Sequence, residues 1–129
     1  MKELEGRVAI VAGGEGRPRA AALALAARGV RILVVGPVER TIAETVGHIA
    51  YGGGKARHLV TTDAKPAVAR AVELFGRLDF VVDGIGIAGL TAEALPELGE
   101  GARIVSLEKL AVDEDVAARE VVELCGNAV

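Results

Sequence analysis

The chain has 129 residues, 51% hydrophobic and 26% charged, with 17 glycines and a formal net charge of -3. A chain of this size buries roughly 65–70% of its unfolded surface, so one compact domain over residues 1–129 needs no metal or disulfide. Tyr51, Phe75 and Phe80 are the only aromatics, too few for a base-stacking platform, and the acidic balance excludes a broad basic face for nucleic acid or anionic lipid.

No apolar stretch approaches the roughly 20 residues of a membrane span, and Met1-Lys2-Glu3-Leu4-Glu5 lacks the pattern of a secretory signal, which makes the cytoplasm the expected compartment. Cys125 stands alone among Val121, Val122 and Leu124 and reads as a packed thiol.

Strands are expected at Val8–Ala12, Arg31–Val35, Arg57–Thr61, Phe80–Asp83 and Arg103–Leu107. Between them lie Ala-rich periodic segments. Arg19–Arg28 forms the first helix, and Ile42, Val46 and Ile49 mark a second that Gly52-Gly53-Gly54 stops. Val68, Val72 and Phe75 mark a third, which Pro66 opens at its first position and Gly76 closes. A last helix runs from Glu114 to Cys125, capped by Asp113 and ended by Gly126, with Glu114 and Asp115 at its positive end. Alternation of this kind specifies an α/β fold of three layers. Its core is a doubly wound, Rossmann-like parallel sheet of about five strands in order 3-2-1-4-5. Ligands then bind beyond the carboxyl ends of strands one and four, where glycines cluster.

The first of these loops reads Gly13-Gly14-Glu15-Gly16-Arg17-Pro18-Arg19. A phosphate-binding turn uses glycines so that the backbone bends sharply and approaches a pyrophosphate, with helix N–H groups aimed at the anion. Here the third glycine position falls on Arg19, Pro18 removes an N–H, and Glu15 repels anions, while Arg17 and Arg19 can meet a phosphate directly. A tight strand–helix turn that binds nothing is the alternative. His48 and His58 read as surface histidines, and Asp113-Glu114-Asp115 as a helix start rather than a metal site. No metal ligands are assigned.

Leu4-Glu5-Gly6-Arg7-Val8-Ala9-Ile10-Val11, Gly52-Gly53-Gly54-Lys55-Ala56, Phe75-Gly76-Arg77-Leu78-Asp79-Phe80-Val81-Val82, and Leu95-Pro96-Glu97-Leu98 before Gly101-Ala102-Arg103-Ile104-Val105-Ser106 lie in order along residues 4–107. Together they resemble the short-chain dehydrogenase/reductase family. The resemblance implies NAD or NADP as cofactor and places Gly13, Gly14, Gly16, Arg17, Arg19, Gly36, Asp63, Gly84 and Gly86 around it. Arg17, Arg19 and Arg40 lean toward NADP; Asp63 corresponds to the residue that reaches the adenine.

The departures concern chemistry. Ala12 replaces the family's loop Thr, Pro18 stands where its last glycine aligns, and Asp83-Gly84-Ile85-Gly86 replaces Asn-Asn-Ala-Gly. The family's Tyr-x-x-x-Lys pair, which supplies a proton donor and its electrostatic partner, falls on Glu114 and Ala118 or on Asp115 and Arg119. Tyr51 lies on the second helix, and the family's serine falls near Glu108. No catalytic residue is therefore assigned. Asp83 is a general base or, alternatively, a backbone-bonded carboxylate.

The crossover between strands four and five contracts to Leu90–Gly101, and the family's sixth and seventh strands have no counterpart. Strand five is then an exposed edge, and a homo-oligomer or partner chain is expected on it or on the last helix around Val116, Val121 and Leu124. Three readings stand: a nucleotide-binding module without standard reductase activity, an atypical oxidoreductase or lyase using a carboxylate, and a structural protein with no nucleotide affinity.

Overall fold

The computed structural model describes residues 4–107 and 113–126. They form one parallel sheet of β1 (Val8–Ala12), β2 (Arg31–Gly36), β3 (Ala56–Val60), β4 (Leu78–Asp83) and β5 (Leu98–Ser106). Its order is β3-β2-β1-β4-β5, as the alternation of elements requires. The helices are α1 (Gly16–Ala27), α2 (Glu39–Tyr51), α3 (Ala64–Phe75), α4 (Leu90–Ala94) and α5 (Glu114–Gly126).

Because side chains alternate across a strand, each strand feeds two cores. Ala9, Val11, Ile32, Val34, Phe80 and Val82 face α1, α2 and α5 through Ala22, Leu25, Ile42 and Val121. Val8, Ile10, Leu33, Val35 and Val81 face α3 and α4 through Ala67, Val68, Ala71 and Leu90. The central strands are thus apolar on both faces, and helices cover each side.

Several boundaries shift. α1 begins at Gly16, not Arg19, so the glycine loop is shorter than expected. Pro66 occupies the third position of α3 rather than the first; it is still within the turn whose N–H groups lack helical acceptors, so it costs no helix hydrogen bond. Gly76 closes α3 in the left-handed conformation (φ 79°), its N–H donating to Val72 O at 2.8 Å. Asp113 caps α5 as expected, Oδ1 accepting from the N–H groups of Asp115 and Val116. β5 starts at Leu98, earlier than the apolar run alone predicts, with a register irregularity between its pairings to Leu78 and Phe80.

Among the described residues β5 pairs only with β4, and Ile104 is part-exposed on it. The expected apolar face of the last helix is corrected: Val121 is fully buried in the core beneath α1 and offers nothing to a partner, while Leu124 remains exposed. No helix of the described residues is long and apolar enough to cross a membrane.

At the amino ends of the strands, Asp79 is completely buried. Its carboxylate accepts hydrogen bonds from Arg77 Nε (2.8 Å) and Nη2 (2.7 Å), Val8 N–H (2.9 Å) and Arg7 Nη1 (3.1 Å). This ties β4 to the entry of β1. Burial alone pushes the carboxyl pKa up, but the bonds from Arg77, Val8 and Arg7 outweigh it and hold the group below the ordinary carboxylate value. A depressed folded pKa contributes stability above the unfolded value of about 3.9 and loses it as pH falls through the folded value. Asp79→Asn is therefore expected to cost about 3 kcal/mol at pH 7, measured by urea unfolding. The deficit should shrink below about pH 4, where the unfolded wild-type chain takes up a proton that the folded carboxylate resists until lower pH.

Cys125 is fully buried among α1 and α5 residues, and desolvation pushes its thiol up to about 12, only partly opposed by the Arg103 guanidinium. A buried neutral thiol is a poor nucleophile. Native protein should leave a disulfide reagent such as Ellman's unreacted, with one equivalent consumed once guanidinium unfolds the chain; rapid native labelling would contradict this packing.

Candidate ligand cleft at the strand ends

The carboxyl ends of β1, β2 and β4 and the first turns of α1 and α2 enclose a cleft of about 290 Å³. Gly13, Gly14, Glu15, Pro18, Val38, Thr41, Ile42, Gly84 and Ile85 are among the residues that line it. This is the point where the strand order reverses, the usual ligand position of an open parallel sheet. A smaller hollow of about 130 Å³ lies at the opposite end of the sheet, against Gly29 and Lys55.

Three of the expected residues meet here, and each is a glycine because of protein contacts. Gly13 has φ 116°, and a Cβ there would stand 2.6 Å from Pro18 Cγ and 3.3 Å from Ile85 Cγ2. A Cβ on Gly84 would press on Pro18 and on Ala12 O, 2.7 Å away. A Cβ on Gly14 would collide with the backbone of Thr41 and Ile42 at 2.7 Å. Pro18 is itself buried in the first turn of α1. It makes the close approach to the sheet, while Arg19, on which the third glycine position falls, lies part-exposed, Nη2 3.3 Å from His48 Nδ1.

The remaining expected residues disperse. Gly16 opens α1 with φ 61°. Arg17 Nη1 donates to Leu107 O at 2.6 Å, joining α1 to the end of β5. Arg40 pairs with Glu44 on the α2 surface. Gly36 is the buried last residue of β2, where a Cβ would stand 3.1 Å from Ile42 Cγ2. Asp63 is exposed at the start of α3, its N–H donating to Thr61 Oγ1. Gly86 is exposed, its N–H bonded to Asp83 at 2.8 Å.

Asp83 resolves to the second of its two readings. Its carboxylate accepts from the N–H groups of Ile85 (3.1 Å), Gly86 (2.8 Å) and Ile87 (3.0 Å), pinning the loop that carries Ile85 to the cleft. Those bonds take up about three of the carboxylate's roughly four acceptor positions. Ser106 lies opposite Asp83 in register on β5. Tyr51 is 96% exposed at the far end of α2, beside the glycines leading to β3. Glu108 lies outside the described residues.

Sequence reading missed Thr41 and Thr45. Thr45 Oγ1, fully buried, lies 3.0 Å from Gly14 O and 3.1 Å from Thr41 O, and it fastens the glycine loop to α2. The available signal was two threonines four residues apart on the same helical stripe as Ile42 and Ile49.

The chain is 42% identical over 86 residues to the short-chain reductase protein NovJ of Streptomyces niveus, an alignment covering 62% of this chain and 33% of that protein. The chain is thus similar over part of its length to short-chain reductases. An oxidoreductase of Thermotoga maritima is 37% identical over 87 residues, 64% of this chain and 35% of that one. The matches thus span about a third of the length of these curated relatives. A short-chain dehydrogenase of Burkholderia cenocepacia, solved in complex with NADP, superposes with a TM-score of 0.74 at 23% identity, covering 98% of this chain and 64% of its own. That likeness concerns the fold. No family model matches the chain.

The Gly84–Pro18 contact makes a specific demand on stability. Gly84→Ala should destabilise the protein by about 2 kcal/mol through overpacking. Pro18→Ala in the same chain should recover about 1 kcal/mol of this as a coupling energy. A double-mutant cycle by denaturant unfolding measures it; strict additivity would remove Pro18 as the cause.

Proposed function

We propose that the chain is a nucleotide-class binding module on a reductase scaffold, and that its own residues do not carry out hydride transfer. The observation that carries this reading is the cleft at the strand-order reversal, walled by Gly14, Val38, Thr41, Ile42 and Ile85. Its apolar rim, with Val38 and Ile85 both part-exposed, suits the face of a flat ring. Against hydride transfer stand the surface position of the sole tyrosine and the engagement of Asp83 by three backbone N–H groups.

The NADP of the Burkholderia structure and the family likeness bring nicotinamide dinucleotides into consideration. The residues here do not fit a whole dinucleotide. A cleft of about 290 Å³ is at the bottom of the range of about 300–1,000 Å³ for small-molecule sites. Gly13 and Gly84, whose missing side chains would otherwise leave a cradle for phosphate, are filled by the Pro18 ring. Pro18 also brings no N–H to the first turn of α1. Arg17 and Arg19 are turned to Leu107 and His48. A nucleoside portion is what the cleft can enclose.

Isothermal titration calorimetry with adenosine, ADP, NADH and NADPH tests the reading. A nucleoside of about 19 non-hydrogen atoms at about 0.3 kcal/mol each gives about -6 kcal/mol, a Kd on the order of 50 µM. Binding should vanish in Ile85→Glu, which places a charge on the rim. Flat titrations with all four compounds at millimolar concentration would favour a purely structural role, the reading that Pro18 seated against Gly13 and Gly84 supports.

A further inference from the structure

We propose that the cleft selects uncharged nucleosides over their phosphorylated forms, because two acidic residues stand beside the start of α1. This deepens the preceding reading and rests on it. In a doubly wound fold the first turn of α1 offers unpaired N–H groups and the positive end of the helix dipole, which favours a negative charge.

In this chain two acidic residues stand beside that turn. Glu15 is the residue preceding α1; it is exposed, in extended backbone, and lines the cleft. Glu114, from the first turn of α5, approaches from the other side: a Cβ on Gly16 would stand 3.5 Å from its Oε1. An acidic residue thus precedes the first residue of α1, and a carboxylate from another element approaches it. The arginines nearest the loop in sequence are engaged elsewhere: Arg17 Nη1 with Leu107 O at 2.6 Å and Arg19 Nη2 beside His48 Nδ1 at 3.3 Å. Pro18 leaves the same turn one donor short. A phosphate entering here meets like charge and few donors, whereas a ring lodged between Val38 and Ile85 meets neither penalty.

The size of the effect follows from Coulomb's law. A phosphate a few ångströms from a surface carboxylate, at an effective dielectric between that of water and about 20, is disfavoured by about fivefold or more per carboxylate. Because the groups are exposed, salt screens the repulsion.

The test is calorimetric titration of the wild-type chain and of Glu15→Gln, Glu114→Gln and the double variant with adenosine and ADP, at low and at half-molar salt. Adenosine should bind wild type at least about fivefold more tightly than ADP at low salt. High salt or the double variant should narrow that ratio to about twofold, chiefly by strengthening ADP. Thermal melts of each variant establish that it is folded, and Glu15→Gln alone, at an exposed position outside any regular element, provides the comparison if Glu114→Gln weakens α5. ADP binding more tightly than adenosine to wild type, or an unchanged ratio in both Glu15→Gln and the double variant, overturns the selectivity while leaving a nucleotide-binding cleft intact. Absence of binding by either ligand overturns both.

Discussion

The structure is organised around the seat of Pro18 at the carboxyl ends of β1 and β4. A proline in the first turn of a helix is compatible with the helix but brings a bulky ring where a dinucleotide fold ordinarily presents bare backbone. The ring reaches the sheet only because Gly13 and Gly84 have no side chains, one following β1 and the other β4. That contact sets how closely α1 approaches the central strands. It also draws the α1 entry against Gly14, whose backbone touches the first turn of α2 and whose carbonyl is held by Thr45. The glycines that a sequence reader assigns to a ligand are satisfied from within the protein.

Charge is distributed to match. At the amino ends of the strands Asp79 gathers two arginines and a backbone N–H into a buried node that fastens β4 to β1. At the carboxyl ends, where the related fold concentrates positive potential, the chain places Glu15 and Glu114 and directs Arg17 across to β5. Both acidic residues stand near the positive end of the α1 dipole. Scaffold geometry and partial relatives both resemble reductases, while the reading proposed for the strand ends turns away from a pyrophosphate. Fold likeness alone would have assigned the dinucleotide; the side chains argue for a smaller, neutral ligand.

The sheet order, the three layers and the apolar character of the central strands were legible in the sequence, because alternation of short β-branched runs with amphipathic helices admits few right-handed arrangements. Asp113 as the α5 cap, Gly76 as the α3 terminator and Cys125 as a packed thiol were legible for local reasons: each depends on neighbours within a few residues. Boundaries failed where local signals compete. Proline read as a first-position residue in α3 sits two residues later, and an Ala-rich run hid the true start of α1 at Gly16. Val121 looked available on one helix face because sequence does not say which stripe of α5 the α1 packing will cover.

The glycine loop marks the division most clearly. The sequence by itself determined that glycines follow β1 and β4 and that Asp83 ends a strand. Only the tertiary structure decided what those glycines touch, since the partner of Gly84 is a proline 66 positions earlier in the chain and the partner of Gly14 is the backbone of another helix. The same holds for Arg17 and Glu114, whose partners lie on other elements. Spacing within a segment fixes the backbone's local shape, but which surfaces meet is set by the packing of all layers at once, and there the loop open to either a phosphate turn or a plain strand–helix turn closes on a proline seat.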